Sequence, residues 1–484
     1  MSISTSHRSS RKQRTCTSSR GNGTRRRPRC NRNRNRNRNG NRRPRASPDS
    51  VAELHRGISR QLPRVGLPLV AAKQSARWSP RMLVIAAILF TLDTGQTLAE
   101  RFAAAYDGVS EIFKSRRRPG KDPQGFLRAL CRKSTELLAL VCRRLRRRVR
   151  LAAGREHWRI SRWLAFGVDG SRFNCPRSRA NEEKLGCAGR KKTGPQMLVT
   201  TVFHVGTGLV WDFRRGDGKA SERSHLLQML DTLPKEAMLL ADAGFTGYEL
   251  LTAIAATGRH FLVRVGSSVT LLRKLGWCVE QHEGIVHLWP GKVQRKKKQP
   301  PLTLRLITVA DERNRRIHLL SNVLDRATLP DDEAIDLYAK RWVVEVLYRS
   351  LKQTLNRRKL VCKNPEHAGA ELDWAVVSLW ALSLMTAEEV AAAGRSPARL
   401  SIAKALTPVR RAIRSATPRY SRRLSLALEL SKAVQDDYQR KSSKAARVPV
   451  NKKRDKPPGD PKARLATRQE KALAKAFRER ISLN

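Results

Sequence analysis

The stretch from Tyr338 to Lys352, YAKRWVVEVLYRSLK, sets one carboxylate among several cations and contains neither Gly nor Pro. Read as one uninterrupted α-helix at about 100° per residue, with Tyr338 at zero, it puts Arg341 near ~−60°, Glu345 near ~−20° and Lys352 near ~−40°. These four polar groups then share one stripe. Leu337, Val344, Leu347, Leu351 and Leu355 form an apolar flank that would seat the helix on a core. Tyr, Arg, Glu and Lys at the rim of a core are the groups that a site for phosphate and divalent metal requires.

Two aspartates join that glutamate. WLAFGVDGS is an apolar run that ends at Asp169, and EAMLLADAGF is a second that ends at Asp242. Sites gather at strand C-termini in α/β sheets, and two such aspartates with a glutamate from a packed helix can converge as hard oxygen ligands for Mg²⁺. Two ions about 4 Å apart would activate a water or a 3′-hydroxyl and stabilise the leaving oxygen in phosphodiester cleavage. Carboxylates flanked by apolar residues in a basic chain need a reason to be there, and a metal's charge would supply it. Taken singly, each aspartate reads first as a turn residue before glycine, and Glu345 as the partner of Arg341 in an i,i+4 pair worth a few tenths of a kcal/mol. The combination, in order and on suitable elements, favours the joint reading.

The elements that must position these acids alternate along the chain. QMLVTTVFHVGTGLVWDF reads as two strands joined by the turn Gly206-Thr207-Gly208. Ser221 to Leu233 reads as a helix with Ser221 as its N-cap, Tyr248 to Ala256 as another helix, and RHFLVRV as a strand. Strands with helices crossing back define a mixed α/β sheet, with residues 156–265 and 326–395 as two parts of one core. Residues 266–325, with the short runs GIVHLWP, LTLRLITVA and RIHLLSNV and the basic run Arg295 to Lys298, read as a β-rich insertion. Leu372 to Ala393 is apolar enough for a buried helix. Residues 396–438 read as helical, and 439–484 as a basic mobile tail.

Residues 51–155 are helical in pattern. Pro123 to Arg150 places Phe126, Leu130, Leu137, Leu138 and Val141 at helical spacings and ends in a cationic cluster, either a surface that holds DNA or a solvated charged face. Residues 1–50 have low complexity and no acid before Asp49. They are expected to be disordered, either a non-specific DNA-binding arm or a start codon read too early.

Composition narrows the partners. The 484 residues hold 99 Lys+Arg against 41 Asp+Glu, a net charge of +58, so a polyanion is the natural partner. Nucleic acid comes first and an anionic membrane surface second. The longest apolar run, Met82 to Phe90, is far short of the roughly 20 residues a membrane span needs, and no transmembrane helix is expected. The basic N-terminus lacks the apolar segment of a secretory signal. Eight cysteines are scattered without a CxxC pair, which points to free thiols in a reducing compartment. Cys175 and Cys187 lack the spacing of a structural zinc site.

With these residues in view, the sequence resembles the family-four insertion-sequence transposases. Tyr338, Arg341, Glu345 and Lys352 match that family's Y-x2-R-x3-E-x6-K signature without departure, and Asp169 in DGS and Asp242 in ADAGF look like the first two acids of its DDE triad. The β-rich insertion is also similar, and the resemblance spans about residues 160–390. It implies a ribonuclease-H-like mixed-sheet catalytic core with a helical N-terminal domain, and Mg²⁺ or Mn²⁺, as two ions, at Asp169, Asp242 and Glu345. It further implies cut-and-paste transposition by a homodimer acting on terminal inverted repeats and target DNA, in the cytoplasm at the nucleoid. Carried over by position, Tyr338, Arg341 and Lys352 would contact phosphates near the scissile bond, Arg by its bidentate fork and Lys as a point charge. Trp289 is the candidate for the family's base-holding tryptophan, with a core or rim position as the plainer reading. A catalytically inactive, domesticated DNA-binding protein and a different metal nuclease on the same core are the competing readings.

Overall fold

Leu164 to Val168 has no polar side chain and every residue in it is buried, as a central strand covered on both faces requires. In the computed structural model this run opens β1 (Leu164–Asn174), in the middle of a ten-stranded sheet. The structure describes residues 50–64, 67, 70, 76–113, 118–186, 194–278, 284–289, 299–310, 316–414, 425–435 and 459–482. The expected N-terminal arm, the basic run Arg295 to Lys298, Cys187 and the first part of the tail lie outside the described residues.

β1 is followed by the antiparallel meander β2 (Gln196–His204) and β3 (Leu209–Asp217), joined through the expected turn. Gly208 there has φ +69°, a conformation that costs glycine little. β4 (Ala237–Ala241) returns parallel to β1, and β5 (His260–Val265) parallel to β4. The order 3-2-1-4-5, with two hairpin connections and then helical crossovers through Glu222–Met229 and Tyr248–Ala256, is the mixed ribonuclease-H-like core expected from the sequence.

The insertion strands form no separate sheet. β9 (Arg316–Ser321) pairs antiparallel with β5, and β8 (Leu302–Ala310), β7 (Ile285–Leu288) and β6 (Thr270–Arg273) continue outward from it. The tail also departs from expectation. Lys462–Leu465 forms β10 and pairs parallel with β6, and a helix, Arg468–Ser482, follows. Ala466 and Ala474 bury against Leu272 and Leu275 beside Trp277 and Trp289, and this small apolar cluster holds that part of the tail to the sheet.

Among the described residues four helices precede the core: Ser50–Gln61, Pro80–Leu92, Leu98–Ile112 and Pro123–Ala153. Ser79, Thr97 and Asp122 cap the last three through side-chain oxygens, and Pro at the first position of two of them is pre-set for helix entry. Phe126, Leu130, Leu137 and Val141 are buried as their spacing predicted. Pro365–Ala392, capped by Asn364, is nearly all buried. It is the buried helix expected from Leu372 to Ala393; it is long and apolar enough by composition to cross a membrane, but 78% of its most apolar window is buried inside the fold. Leu379, Trp374 and Trp380 on it are fully enclosed.

A buried ion pair ties this helix to the N-terminal ones. Arg101 Nη1 lies 3.0 Å from Glu371 Oε1, with side chains 2% and 0% exposed, and Glu371 Oε2 accepts from the backbone of Val361 at 2.9 Å and Cys362 at 3.2 Å. Removing one partner leaves an uncompensated buried charge. Glu371→Ala is therefore expected to cost about 3–5 kcal/mol, read as a lower urea midpoint. A loss under about 1 kcal/mol would show that the pair does not hold these helices together.

Candidate active site

β1 and β4 set the two aspartates level. Their parallel register ends with Gly167 opposite Leu240, and Asp169 and Asp242 each lie two residues farther on. β4 stops at Ala241, so Asp242 sits in a notch beside the part of β1 that runs on. It caps the short turn Ala243–Phe245, its Oδ1 accepting from Gly244 N at 2.9 Å. Asp169 Oδ1 accepts from Gly170 N at 2.8 Å.

Burial pushes the Asp169 carboxyl up to about 6, against the Gly170 hydrogen bond; the Asp242 and Glu222 charges also raise it and Arg341 lowers it. Burial likewise raises Glu222, helped by Asp242, with Arg172 opposing. Neighbouring carboxylates thus disfavour one another's charged forms.

The cations expected beside these acids are there. Arg341 Cζ lies 5.5 Å from the Tyr338 ring centre, within cation–π range. The buried Tyr338 hydroxyl and Arg341 Nε have no partner of hydrogen-bond geometry. Lys352 Nζ donates to Ser171 Oγ at 2.7 Å and lies 5.2 Å from the Phe173 ring centre. Burial lowers its pKa, with Arg358 adding to the shift and Asp169 opposing it.

Glu345 does not join them. Its side chain is exposed and lines a cavity of about 480 Å³ with Thr207, Gly208, Trp342 and Gln435, on the hairpin side of the helix. Burial raises its pKa and Arg341 and Arg349 lower it. Among the described residues no three His, Cys, Asp or Glu side chains are gathered as metal ligands.

The cause is the helix itself. Residues 331–339 are α, Lys340–Trp342 are 3₁₀, Val343–Arg349 are α and Ser350–Thr354 form a π turn. A constant angular step does not survive these changes, because the 3₁₀ step of about 120° over Lys340–Trp342 carries Glu345 roughly 60° past its α position relative to Tyr338. Lys352 therefore meets β1 while Glu345 turns aside.

Two residues at the site went unread in the sequence. The fully buried Tyr348 hydroxyl lies 2.8 Å from the Asp169 carbonyl and 3.1 Å from both the Val199 carbonyl and Thr201 Oγ1, which pins β1 at the aspartate. Its position four residues before Lys352 was the available signal. Glu222 opens the crossover helix behind Ser221, which is an N-cap without a side-chain hydrogen bond. Nothing local in the sequence marks it.

Residues 165–381 match the family described as a transposase DDE domain. Over 273 residues the chain is 29% identical to the transposase InsG for insertion sequence element IS4 of Escherichia coli (strain K12), covering 54% of this chain and 60% of that relative. Among solved structures it resembles a piggyBac transposase synaptic complex with hairpin DNA, with TM-score 0.39 and 11% identity over 82% of this chain and 84% of the other.

The raised Asp169 value has a stability consequence. The folded form holds its proton to higher pH than the unfolded chain, so in metal-free buffer this contribution to stability is present below about 4 and lost as pH rises through about 6. Asp169→Asn is expected to flatten that limb and to raise stability at pH 7 by about 1–3 kcal/mol. Thermal unfolding in EDTA from pH 4 to 8 measures it, and an unchanged profile would contradict the raised value.

Proposed function

We propose that this protein is the DNA transposase of an insertion sequence, cutting the element's ends and joining them to target DNA. The observation that carries the reading is the level placement of Asp169 and Asp242 on paired strands inside the segment matched to the transposase DDE domain. The relative matched here is itself an insertion-sequence transposase. The net charge of +58 suits a DNA partner.

The donor set suits Mg²⁺ or Mn²⁺, because crowded, half-buried carboxylates offer hard oxygens whose mutual repulsion a cation would relieve. Asp169 and Asp242, with Glu345 assigned by its place in the signature, would hold two ions. When bound, they supply an activated water or 3′-hydroxyl and stabilise the leaving oxygen. The chain's own cations do the rest. Arg341, with its unpartnered Nε, presents a fork for a phosphate, and the Tyr338 hydroxyl offers a further donor beside it. Lys352, held near Asp169 by Ser171, adds a point charge. The reading includes a homodimer that pairs the element's inverted-repeat ends, acting at the nucleoid in the cytoplasm.

A second reading, a domesticated DNA-binding protein without catalysis, draws on one observation: Glu345 stands apart from the aspartates. End-labelled DNA carrying the element's own flanks separates the two. Wild type is expected to nick the ends with Mg²⁺ or Mn²⁺ and to leave hairpins, whereas Asp169→Asn, Asp242→Asn and Glu345→Gln each lose at least about 100-fold in rate while still binding. Tight binding without cleavage by wild type would favour the second reading.

A further inference from the structure

We infer that Arg357 is a positioning residue for Lys352: its buried guanidinium ties the end of the turn that carries the lysine to the last turn of the helix Pro80–Leu92, and so holds the lysine against β1. The part Lys352 plays at DNA rests on the transposase reading above; the clamp itself does not.

The clamp is built where two helical segments end. Carbonyls in a last turn have no partner within their own ladder and need donors when they are buried. Arg357 Nη2 donates to the Thr91 carbonyl at 2.7 Å and Nη1 to the Leu355 carbonyl at 3.0 Å. Arg410, from the helix Ile402–Arg414, repeats the bridge one residue away. Its Nε donates to the Leu92 carbonyl at 3.0 Å and its Nη2 to the Thr354 carbonyl at 3.1 Å. Two rigid forks thus join the same two chain ends, a geometry that a lysine's single ammonium does not reproduce.

The segment they hold carries the lysine. Lys352 lies within the π turn Ser350–Thr354. Leu355 N donates to the Ser350 carbonyl at 2.8 Å and Arg358 N to the Lys352 carbonyl at 3.3 Å, and Asn356 between them has φ +53°. Beyond the turn the chain joins the end of β1, where Asn174 N donates to the Arg358 carbonyl at 3.2 Å and Leu360 N to the Asn174 carbonyl at 2.9 Å. Lys352 is therefore fixed through its backbone by the residues around Arg357, and at its tip by Ser171 on the same strand.

The position is a costly one for a cation. Arg357 is 1% exposed, its Nε has no partner of hydrogen-bond geometry, and its other nitrogens meet carbonyls rather than a carboxylate. Burial lowers it to about 10; Arg101 and Arg410 add to the shift, and Glu371 and Asp93 oppose it. A buried charge without a paired anion is unfavourable. What this one supplies is a fixed spacing between residues 91 and 355.

The test uses the full-length protein. Without DNA, hydrogen–deuterium exchange of residues 350–358 is expected to quicken in Arg357→Met while the central strands keep their wild-type protection. With saturating DNA that carries the element's own flanks, Arg357→Met is expected to slow Mg²⁺-dependent nicking at least about tenfold, with Arg357→Lys recovering part of the rate. The same substitution added to Lys352→Ala is expected to cost less than about twofold more, because both changes remove one function. Where Arg357→Met does not fold, Arg357→Gln takes its place in both measurements. Unchanged exchange at 350–358 would show that no clamp exists. Losses that multiply in the double variant, or exchange that quickens throughout the fold, would make the role of Arg357 structural and overturn the inference. If wild type binds DNA without nicking it, the transposase reading fails instead, and the same set of variants decides the inference by exchange and by DNA affinity.

Discussion

The parallel pairing of β1 with β4 is the constraint on which the site depends. Parallel neighbours need a crossover connection, and here β2, β3 and the helix Glu222–Met229 supply it. That path has two consequences. Stopping the register at Gly167 and Leu240 leaves each aspartate two residues past the last pair, and the returning helix brings Glu222 against Gly170. One backbone arrangement therefore sets Asp169 and Asp242 level and brings Glu222 against Gly170, from three separate parts of the chain.

Arginine is used differently inside and outside the site. Glu371 pairs with Arg101, Asp373 with Arg215 at 2.9 Å, Asp212 with Arg214 and Arg146 at 3.0 and 3.3 Å, and Glu388 with Arg148. These pairs join the N-terminal helices, β3 and the long apolar helix into one core, and an unpaired buried charge there would be costly. Among the described residues Asp169 and Asp242 form no such ion pair. Their nearest cations are held otherwise, Arg341 against the Tyr338 ring and Lys352 by Ser171, which leaves both the carboxylates and the cations available to a ligand.

The helix from Val343 onward shows how packing overrides periodicity. Val344, Leu347, Leu351 and Leu355 are buried as the apolar flank predicted. Tyr348 is fully buried as well and bonds to β1 and β2; a uniform α wheel puts it near ~−80°, between the apolar flank and Arg341. Tyr348 and Lys352, four residues apart, both meet the sheet, and Glu345 and Trp342 are left on the outer face, Trp342 64% exposed.

The sequence by itself determined the sheet's central strands, the buried seam of Phe126, Leu130, Leu137 and Val141, and the ends of the two apolar runs at Asp169 and Asp242, because burial pattern is a local property of the chain; it named Ser221 as a cap, which makes no side-chain capping bond. It also marked Tyr338, Arg341, Glu345 and Lys352 as a set by their spacing. Only the tertiary structure decided which of them meet. Angular position on a helix follows from spacing only while the hydrogen-bond ladder is uniform, and here the ladder changes to 3₁₀ at Lys340–Trp342 and to π at Ser350–Thr354. Glu222 and the β10 edge strand were decided there too, because each depends on a contact between residues far apart in the chain, which no local pattern encodes.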